Sequence, residues 1–510
     1  MAVSRSKRTF QNMIFGFIYH TVTVVLSFVS RTVFIHTLGT EYLGLNTIFS
    51  DVLKLLSMAD LGFDLAMSYS FYRPLAEGDE EKLKSLTAFF GRIYNIIAIA
   101  ATIIGLAVTP FLKFIIKTEQ PVPNLEIYYF FGLADIIISY LFVYKTTLLV
   151  ADQKDYMVVR VRTIASIVGT LLKMFVLIVW RNYILYLIVN LATSFFSNYY
   201  ASKKAVKEYP YIRNLKDAKE LDSDSKKSIF STLRSIMLYK VSMLFFHYTD
   251  NILISMILGT AVVGIFSNYW MLSTRLILIE QIIFAAMVAS VGNLMVQENE
   301  KKRLEVFDSM QSISYIFCGI LTCVYGLVAD DMIHVWLGNE LQVSTPVVIA
   351  IAMNTYFISV LHPVAIIREA AGIYNKIKYC MVFGSILNLV LSIILGMKIG
   401  LVGIILASVI SRMASYYWYE PVIIYRDFFG GNCGKFFVGL LKNLLLVLLV
   451  ITVMYSVSRN FVPENWIQLI IKGGIIGVIC TAIFMGAYIR TPGAQNIISK
   501  VKGLLKREES

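Results

Sequence analysis

Nine of the charged side chains within otherwise apolar stretches of sequence are candidates for a functional site. The basic ones are Arg31, Lys173, Lys240 and Arg275, and the acidic ones are Asp60, Asp64, Asp135, Asp250 and Glu280. A charge at the centre of a bilayer costs about 2.5–3.5 kcal/mol, so such groups need water, a partner or a ligand. We expect the basic residues to bind an anionic headgroup such as a diphosphate. We expect the acids to balance them or to bind Na⁺ or a proton as a coupling ion, with no other cofactor. The alternative is that these charges form structural ion pairs or extend toward a membrane surface.

Small polar residues accompany these charges at helical spacing. The sets are Ser57, Asp60, Asp64 and Ser68; Asp135, Ser139 and Thr146; Thr163, Ser166, Thr170 and Lys173; and Lys240, His247 and Asp250. At about 100° per residue, each set falls on one side of its helix. The pattern predicts helices whose polar faces meet in a shared interior.

The elements that position these residues are long apolar runs. The chain has 510 residues, of which 57% are hydrophobic and 15% charged, whereas an ordinary soluble chain has about 25% charged residues. A soluble protein would need one very large core to bury these runs. Hydropathy predicts fourteen membrane spans: 11–36, 44–72, 86–116, 126–150, 157–180, 183–202, 230–258, 262–296, 306–329, 345–367, 377–397, 400–425, 436–458 and 467–489. The expected fold class is an all-α integral membrane protein.

The basic residues that give the chain its net charge of +13 lie mainly in the links between spans. Lys and Arg concentrate in alternate links, beginning with Arg5, Lys7 and Arg8 and most densely in residues 203–227. Basic residues near span ends are retained on the cytoplasmic side. Both termini are therefore expected in the cytoplasm of a cell that carries this protein in its plasma membrane, and nucleic-acid binding is not expected.

An internal repeat divides the predicted spans. Leu38-Gly39-Thr40-x-x-x-Gly44 recurs 220 residues later as Leu258-Gly259-Thr260-x-x-x-Gly264, and the same offset aligns Asp60 with Glu280. Repetition at one spacing indicates duplication, and an even number of spans per copy gives both copies one orientation. We predict a lobe over 1–202, a cytoplasmic linker over 203–229, a second six-helix lobe over 230–425, and two further helices with a basic tail over 426–510.

Other motifs are weaker. Five cysteines and five histidines lack the spacing of a metal site or a disulfide framework and are interpreted as packing residues. The segment 430–435 lacks the spacing of a phosphate loop. Asp330-Asp331 is expected in a solvated outer link, and Pro363 is expected to kink the tenth span.

Several short motifs resemble one transporter family. They are Ser30-Arg31, the repeat motif beginning at Leu38, Asp60-Leu61-Gly62, residues 249–255 followed by Leu258-Gly259, and Trp336-Leu337-Gly338. With the hydropathy profile, the chain resembles the polysaccharide transporters, or Wzx-like oligosaccharide flippases, of the multidrug/oligosaccharidyl-lipid/polysaccharide (MOP) exporter superfamily.

The resemblance implies two lobes that work by alternating access. Its implied substrate is an undecaprenyl-diphosphate type of lipid-linked oligosaccharide, moved across the plasma membrane for capsule or other surface-polysaccharide assembly. Implied partners are membrane lipid, a polysaccharide polymerase and glycosyltransferases.

Other functions remain open at this stage. A cation-coupled drug exporter of the same superfamily would favour acids over arginines in its cavity. An integral membrane glycosyltransferase or polymerase would need a large outer loop for its catalytic groups, and the predicted outer links are short, so no enzymatic activity is expected. A scaffold would gain nothing from buried charges.

Overall fold

The computed structural model describes residues 5–57, 62–119, 122–285 and 287–495, with side chains from residue 21 onward except at positions 64, 65, 232, 235, 283, 285, 289, 290 and 296. These ranges contain helices and short turns but no β-strand, which confirms the all-α prediction. The α-helices are α1 (Arg5–Leu56), α2 (Phe63–Glu77), α3 (Glu80–Val108), α4 (Leu112–Ile115), α5 (Leu125–Ala151), α6 (Asp155–Trp180), α7 (Tyr183–Glu208), α8 (Ser223–Leu258), α9 (Thr260–Ala285), α10 (Val288–Gln297), α11 (Glu300–Leu337), α12 (Thr345–Ser359), α13 (His362–Ala371), α14 (Tyr374–Ala414), α15 (Tyr416–Ile424), α16 (Gly434–Ser458) and α17 (Trp466–Tyr488).

The helices do not coincide one to one with the predicted spans. The long helix α1 contains the first predicted span and the beginning of the second, which meet at a kink at Gly39. Helix α14 contains the eleventh span and the beginning of the twelfth, which meet at Ile399 and Gly400. Other spans are built from two shorter helices, as in α9 with α10 and α12 with α13. The described residues contain eleven segments long and apolar enough to cross a membrane, two of which include these kinks. The chain is a multi-pass membrane protein, and its described helices are consistent with about fourteen crossings.

The faces of α16 show how a span divides between protein and lipid. Leu440, Asn443 and Val447 are buried, whereas Leu441 and Leu445 are more than half exposed. Exposed leucines are favourable in contact with hydrocarbon, where the helix has already satisfied its backbone hydrogen bonds. One face of α16 therefore packs on protein and the other suits lipid.

The repeated glycines have the same backbone conformation. Gly39 has φ 85° and ψ 174°, and Gly259 has φ 104° and ψ 158°. This region is strained for residues with a side chain, so the glycine of each motif is required at the bend between two helices. The backbone N–H of Thr260 then donates to the carbonyl of Lys117 at 2.8 Å.

The first of two compact units is Met1–Gly264. In it, α1 packs against α6 and α8, and α5 packs against α3 and α7. Met67, Phe71, Phe90 and Tyr94 belong to its buried core. Helix α8 packs within this unit, whereas the sequence repeat assigns the corresponding span to the second lobe. The unit defined by contacts therefore contains one span more than the lobe predicted from the repeat. The lobe boundaries at 202 and 230 stay a prediction about the repeat.

The second unit, Ile265–Ser510, is built around α11, which contacts α12, α16 and α17. Asn443 on α16 accepts from the Tyr356 hydroxyl at 3.0 Å and donates to the Tyr488 hydroxyl at 3.0 Å. Lys472 on α17 pairs with Asp331 at 2.6 Å. The last two helices are thus held to the bundle by buried polar contacts as well as by packing.

The prediction that Asp330-Asp331 lies in a solvated outer link is wrong. Both residues lie inside α11, where Asp330 accepts from the Tyr269 hydroxyl at 2.5 Å and Asp331 binds Lys472. The helix continues beyond the predicted end of the span at 329, and these polar partners compensate the two carboxylates within it.

Candidate functional site

A polar cavity of about 380 Å³ lies among α5, α6 and α7. Its lining residues are Asp135, Arg162, Ala165, Ser166, Thr170, Lys173, Asn190, Thr193, Ser194, Ser197 and Asn198. All but one of these side chains are polar or charged, although the helices are otherwise rich in Leu, Ile, Val and Phe. The polar face predicted for the fifth span therefore lines a cavity within one unit.

Lys173 is held in this cavity by two neighbours on α7. Its ammonium group donates to the Asn190 side-chain oxygen at 3.1 Å and lies 5.4 Å from the centre of the Tyr186 ring. Both contacts stabilise a cation that burial would otherwise disfavour. The ammonium keeps further donors with which it can meet an anion.

Asp135 supplies a nearby negative charge. Its carboxylate interacts with the Ser194 hydroxyl and lies within electrostatic reach of Lys173. One carboxylate oxygen is buried without a hydrogen-bond partner. An incompletely satisfied buried acid is costly, which makes Asp135 suited to an additional cation or proton.

A second cavity of about 290 Å³ adjoins the first. Asp135 and Asn190 line both cavities. Tyr128, Tyr183 and Tyr186 line only the second, and the Tyr183 ring lies 4.8 Å from that of Tyr128 and 5.9 Å from that of Tyr186, centre to centre. Tyrosines at such a site combine an apolar body with a hydrogen-bonding tip.

Arg31 approaches the same tyrosine as Lys173. It lies on the first arm of α1, is half-buried, and interacts electrostatically with Tyr186. Two of the four basic residues predicted from sequence are thus brought together around one ring. The tyrosine and Asn190 were not among the predicted site residues, although both stand out as polar groups in the sixth span.

The other two basic residues lie elsewhere. Lys240 is half-buried on α8 of the first unit, and Arg275 is half-buried on α9 of the second unit. Asp250 is ten residues after Lys240, about 15 Å farther along the same helix. Asp60 lies outside the described residues, and Asp64 lies on α2 with its side chain outside them.

A buried pair that the sequence analysis did not predict joins α1 to α8. Asp51 is 6% exposed and accepts from the Asn251 amide at 2.6 Å. Lys54 lies 3.9 Å from Asp51 and 4.9 Å from the centre of the Tyr248 ring. Asp51 is a charge inside a predicted span and Asn251 lies in a quoted motif, so both signals were present in the sequence.

Glu280 occupies a separate buried site in the second unit. It is fully buried, accepts from the Ser314 hydroxyl at 3.1 Å, and lies 3.3 Å from Nδ1 of His362. The site adjoins the break between α12 and α13, where the carbonyl of Val360 accepts from Gln311 at 3.0 Å. His362 begins α13 and Pro363 occupies its first turn, so the predicted kink in the tenth span is a break between two helices. Glu280 Oε2 and His362 Nδ1 are both buried, and they face each other without a hydrogen bond.

The structure offers no cluster of metal-binding residues in the part of the chain that it describes. The role of each predicted residue stays a prediction.

The fold is similar to that of solved membrane transporters. The lipid II flippase MurJ, in an inward closed conformation, matches with a TM-score of 0.67 and 17% identity over 94% of this chain and 100% of the other. An inward-facing multidrug resistance MATE family transporter of the MOP superfamily matches with a TM-score of 0.58 and 14% identity over 78% of this chain and 94% of the other. A MOP superfamily transporter from Pyrococcus furiosus matches with a TM-score of 0.53 and 14% identity over 82% of this chain and 96% of the other. No family model and no curated protein sequence matches the chain.

At these identities the similarity establishes the fold. The chain has the helical architecture shared by MurJ and MATE transporters of the MOP superfamily. These neighbours are transporters or flippases rather than enzymes. The predicted resemblance is confirmed at the level of the superfamily's fold, whereas the specific likeness to Wzx-like flippases stays a prediction.

Proposed function

We propose that the chain is a flippase that moves polyprenyl-diphosphate-linked oligosaccharide units across the plasma membrane by alternating access. The observation that carries this proposal is the convergence of Arg31 and Lys173 on Tyr186, beside a cavity lined almost entirely by polar side chains. A diphosphate is a dianion that two cations with several donors can bind.

The chemistry of the substrate requires such a cavity. A diphosphate with sugars attached is charged and hydrated, so it cannot cross hydrocarbon unaided. Its prenyl tail is favourable in lipid and does not need to enter the protein. The hydroxyl and amide groups of Ser166, Thr170 and Asn190 can replace water around the sugars and phosphates.

Asp135 gives the empty site a counter-charge. When no substrate is present, the carboxylate offsets part of the Lys173 charge. An incoming diphosphate would displace this interaction, and a proton or Na⁺ bound to Asp135 would reduce the repulsion between two anions. Coupling of ion binding to substrate movement follows from this competition, with Glu280 and Asp250 as further candidate ion sites.

The proposed transport runs from the cytoplasmic side of the membrane to the outer side. Both termini are placed in the cytoplasm by the distribution of Lys and Arg. The substrate is then supplied by glycosyltransferases on that side and consumed by a polysaccharide polymerase on the other, in the assembly of a surface polysaccharide.

A cation-coupled exporter of small molecules is the second candidate. It is favoured by the similarity to a multidrug resistance MATE transporter and by the incompletely satisfied carboxylate of Asp135. A cationic substrate would then bind the acid, and the cations at Tyr186 would oppose it.

Reconstitution into vesicles tests the proposal. The probe is a fluorescent polyprenyl-diphosphate sugar, and its transbilayer movement is compared among wild type, Arg31→Gln, Lys173→Gln and Lys145→Gln. Lys145 lines neither cavity described above and is the matched control. We expect wild type and Lys145→Gln to be active and each of the other variants to be at least tenfold slower. Absence of movement with wild type, in vesicles that export a cationic dye, would favour the second candidate.

A further inference from the structure

The carboxyl-terminal end of α7 forms a separate basic cavity of about 670 Å³. Its side chains include Tyr199, Tyr200, Lys203, Lys204, Lys207 and Arg213, and no acidic residue lines it. Four cations around one concave surface create a positive potential that attracts an anion.

Helical spacing places the aromatic and basic residues on one face. Tyr199, Lys203 and Lys207 follow one another at four-residue intervals, and Tyr200 and Lys204 repeat the interval one position later. Residues four apart lie above one another on a helix. The cavity thus has aromatic rings toward the middle of α7 and ammonium groups toward its end.

A short turn after α7 contributes Pro210 to the lining of the cavity. After α7 the chain enters a short 3₁₀ turn over Pro210–Ile212, and both Tyr209 and Ile212 are buried. The Tyr209 hydroxyl donates to Asp152 at 2.7 Å. These anchors hold the backbone that leads to Arg213, which lines the cavity together with the lysines of α7.

Two acids that adjoin this turn in contact or in sequence, Asp152 and Glu208, are paired with another lysine. Lys154 lies 2.6 Å from Glu208 and 2.7 Å from Asp152. Within the described chain, Lys203, Lys204, Lys207 and Arg213 form no ion pair. The positive charge of the cavity is therefore available to a ligand.

Exposed aromatic rings continue from the cavity along α7. Phe195 stacks on Tyr199 with ring centres 6.1 Å apart, and Phe196 stacks on Tyr200 at 6.5 Å. All four side chains are 41–54% exposed. Aromatic residues of this kind are enriched where a membrane span meets the headgroup region.

We propose that this cavity binds the phosphate headgroup of an anionic phospholipid, with the acyl chains along the aromatic face of α7. Basic pockets beside membrane helices on the cytoplasmic side suit anionic lipid headgroups. A soluble phosphate shares the headgroup's chemistry but has no acyl chain to contact Tyr199 and Phe195. The site is distinct from the cavity around Lys173 and does not depend on the transported substrate.

Lipid binding to the purified full-length protein tests the proposal. The probes are phosphatidylglycerol and phosphatidylcholine, titrated in mixed micelles and followed by native mass spectrometry, with and without millimolar inorganic phosphate. The test variant is Lys203→Ala/Lys207→Ala, and the charge-matched control is Lys216→Ala/Lys227→Ala, which changes two exposed lysines outside the cavity.

Each lysine near an anionic headgroup contributes about 1 kcal/mol, so the test variant should bind phosphatidylglycerol roughly 25-fold more weakly. The control should bind as wild type does, and phosphatidylcholine should bind weakly to all three proteins. Equal affinity of the test variant and the control would overturn the site. Displacement of the lipid by inorganic phosphate would reassign it to a soluble phosphate and overturn the lipid proposal.

Discussion

Gly44 lies so close to Thr260 that a Cβ atom on the glycine would collide with the threonine carbonyl oxygen. The reciprocal relationship also holds, since a Cβ on Gly264 would collide with the carbonyl oxygen of Thr40. Each repeat motif therefore inserts its final glycine against the threonine of the other copy. The two copies of the sequence motif thus meet at a reciprocal close contact, of the type that small residues permit between helices in membranes.

Alanine at Gly44 should disrupt this crossing. Overpacking of a tight contact costs about 1–3 kcal/mol, so we expect Gly44→Ala and Gly264→Ala each to lower the thermal midpoint in detergent. Gly477→Ala is the control, since no atom lies within 4 Å of its Cβ position. Equal midpoints for all three variants would show that the crossing can relax without cost.

Asp135 and Lys173 should be energetically coupled. Each single change, Asp135→Asn or Lys173→Gln, leaves the other charge less compensated, whereas the double variant leaves neither. Because the two groups interact through space and are only partly buried, the coupling free energy should be about 0.5–1 kcal/mol. Thermal midpoints of the four proteins measure it. Strict additivity would mean that the two charges are screened from one another.

The variant Glu280→Gln should show whether transport is coupled to proton uptake at this residue. Glu280→Gln keeps a side-chain oxygen for the Ser314 hydroxyl but replaces the carboxylate that faces His362 with an amide, which takes up no proton. If the coupling ion is a proton taken up here, transport by wild type should respond to an imposed pH difference and transport by the variant should not. Flux of labelled substrate into vesicles at several external pH values gives the comparison. An unchanged response in Glu280→Gln would remove this pair from the coupling mechanism.

The junction before α8 should loosen in acid. The Lys82 ammonium donates a hydrogen bond to the Asp222 carboxylate, and this contact lowers the pKa of Asp222 below its ordinary value of 3.8. A lowered pKa contributes stability that is present above the ordinary value and is lost as the pH falls through the folded one. The protection of the amides near Ser225, measured relative to their intrinsic exchange rate at each pH, should therefore fall below about pH 4.

Asn at position 222 provides the control for this acid dependence. Asn caps helices about as well as Asp, so Asp222→Asn keeps the cap on Ser225 but removes the titration. The variant should show faster exchange at neutral pH and a flatter pH profile. The same acid dependence in both proteins would place its origin elsewhere.

The fold was predictable from sequence because its signals are local. Apolar runs such as 436–458 and 467–489 specify α16 and α17 by length and composition alone. Breaks between helices were harder to predict from the sequence, because a kink such as that at Gly39 and a longer link between two spans give similar hydropathy profiles. Pro363 was the exception because its missing N–H marks a break directly.

The candidate site was only partly predictable because its contacts join residues on different helices, which are distant in sequence. The polar stripe ending at Lys173 follows from helical periodicity, and it does line a cavity. Its partners Tyr186 and Asn190 lie on another helix, and the spacing on α6 cannot specify which helix packs against it. The Asp51–Asn251 contact spans 200 residues of sequence and was missed for that reason.

The central claim is that the polar faces of α5, α6 and α7 enclose a water-filled cavity within the membrane. In a cysteine-free variant, Thr170→Cys places a thiol in this cavity, and Leu171→Cys places one at a side chain that is 52% exposed on an apolar face of the same helix. We predict that a charged, membrane-impermeant thiol reagent modifies Cys at position 170 and leaves position 171 unmodified. Modification of neither position, in protein that folds and inserts normally, would contradict the account.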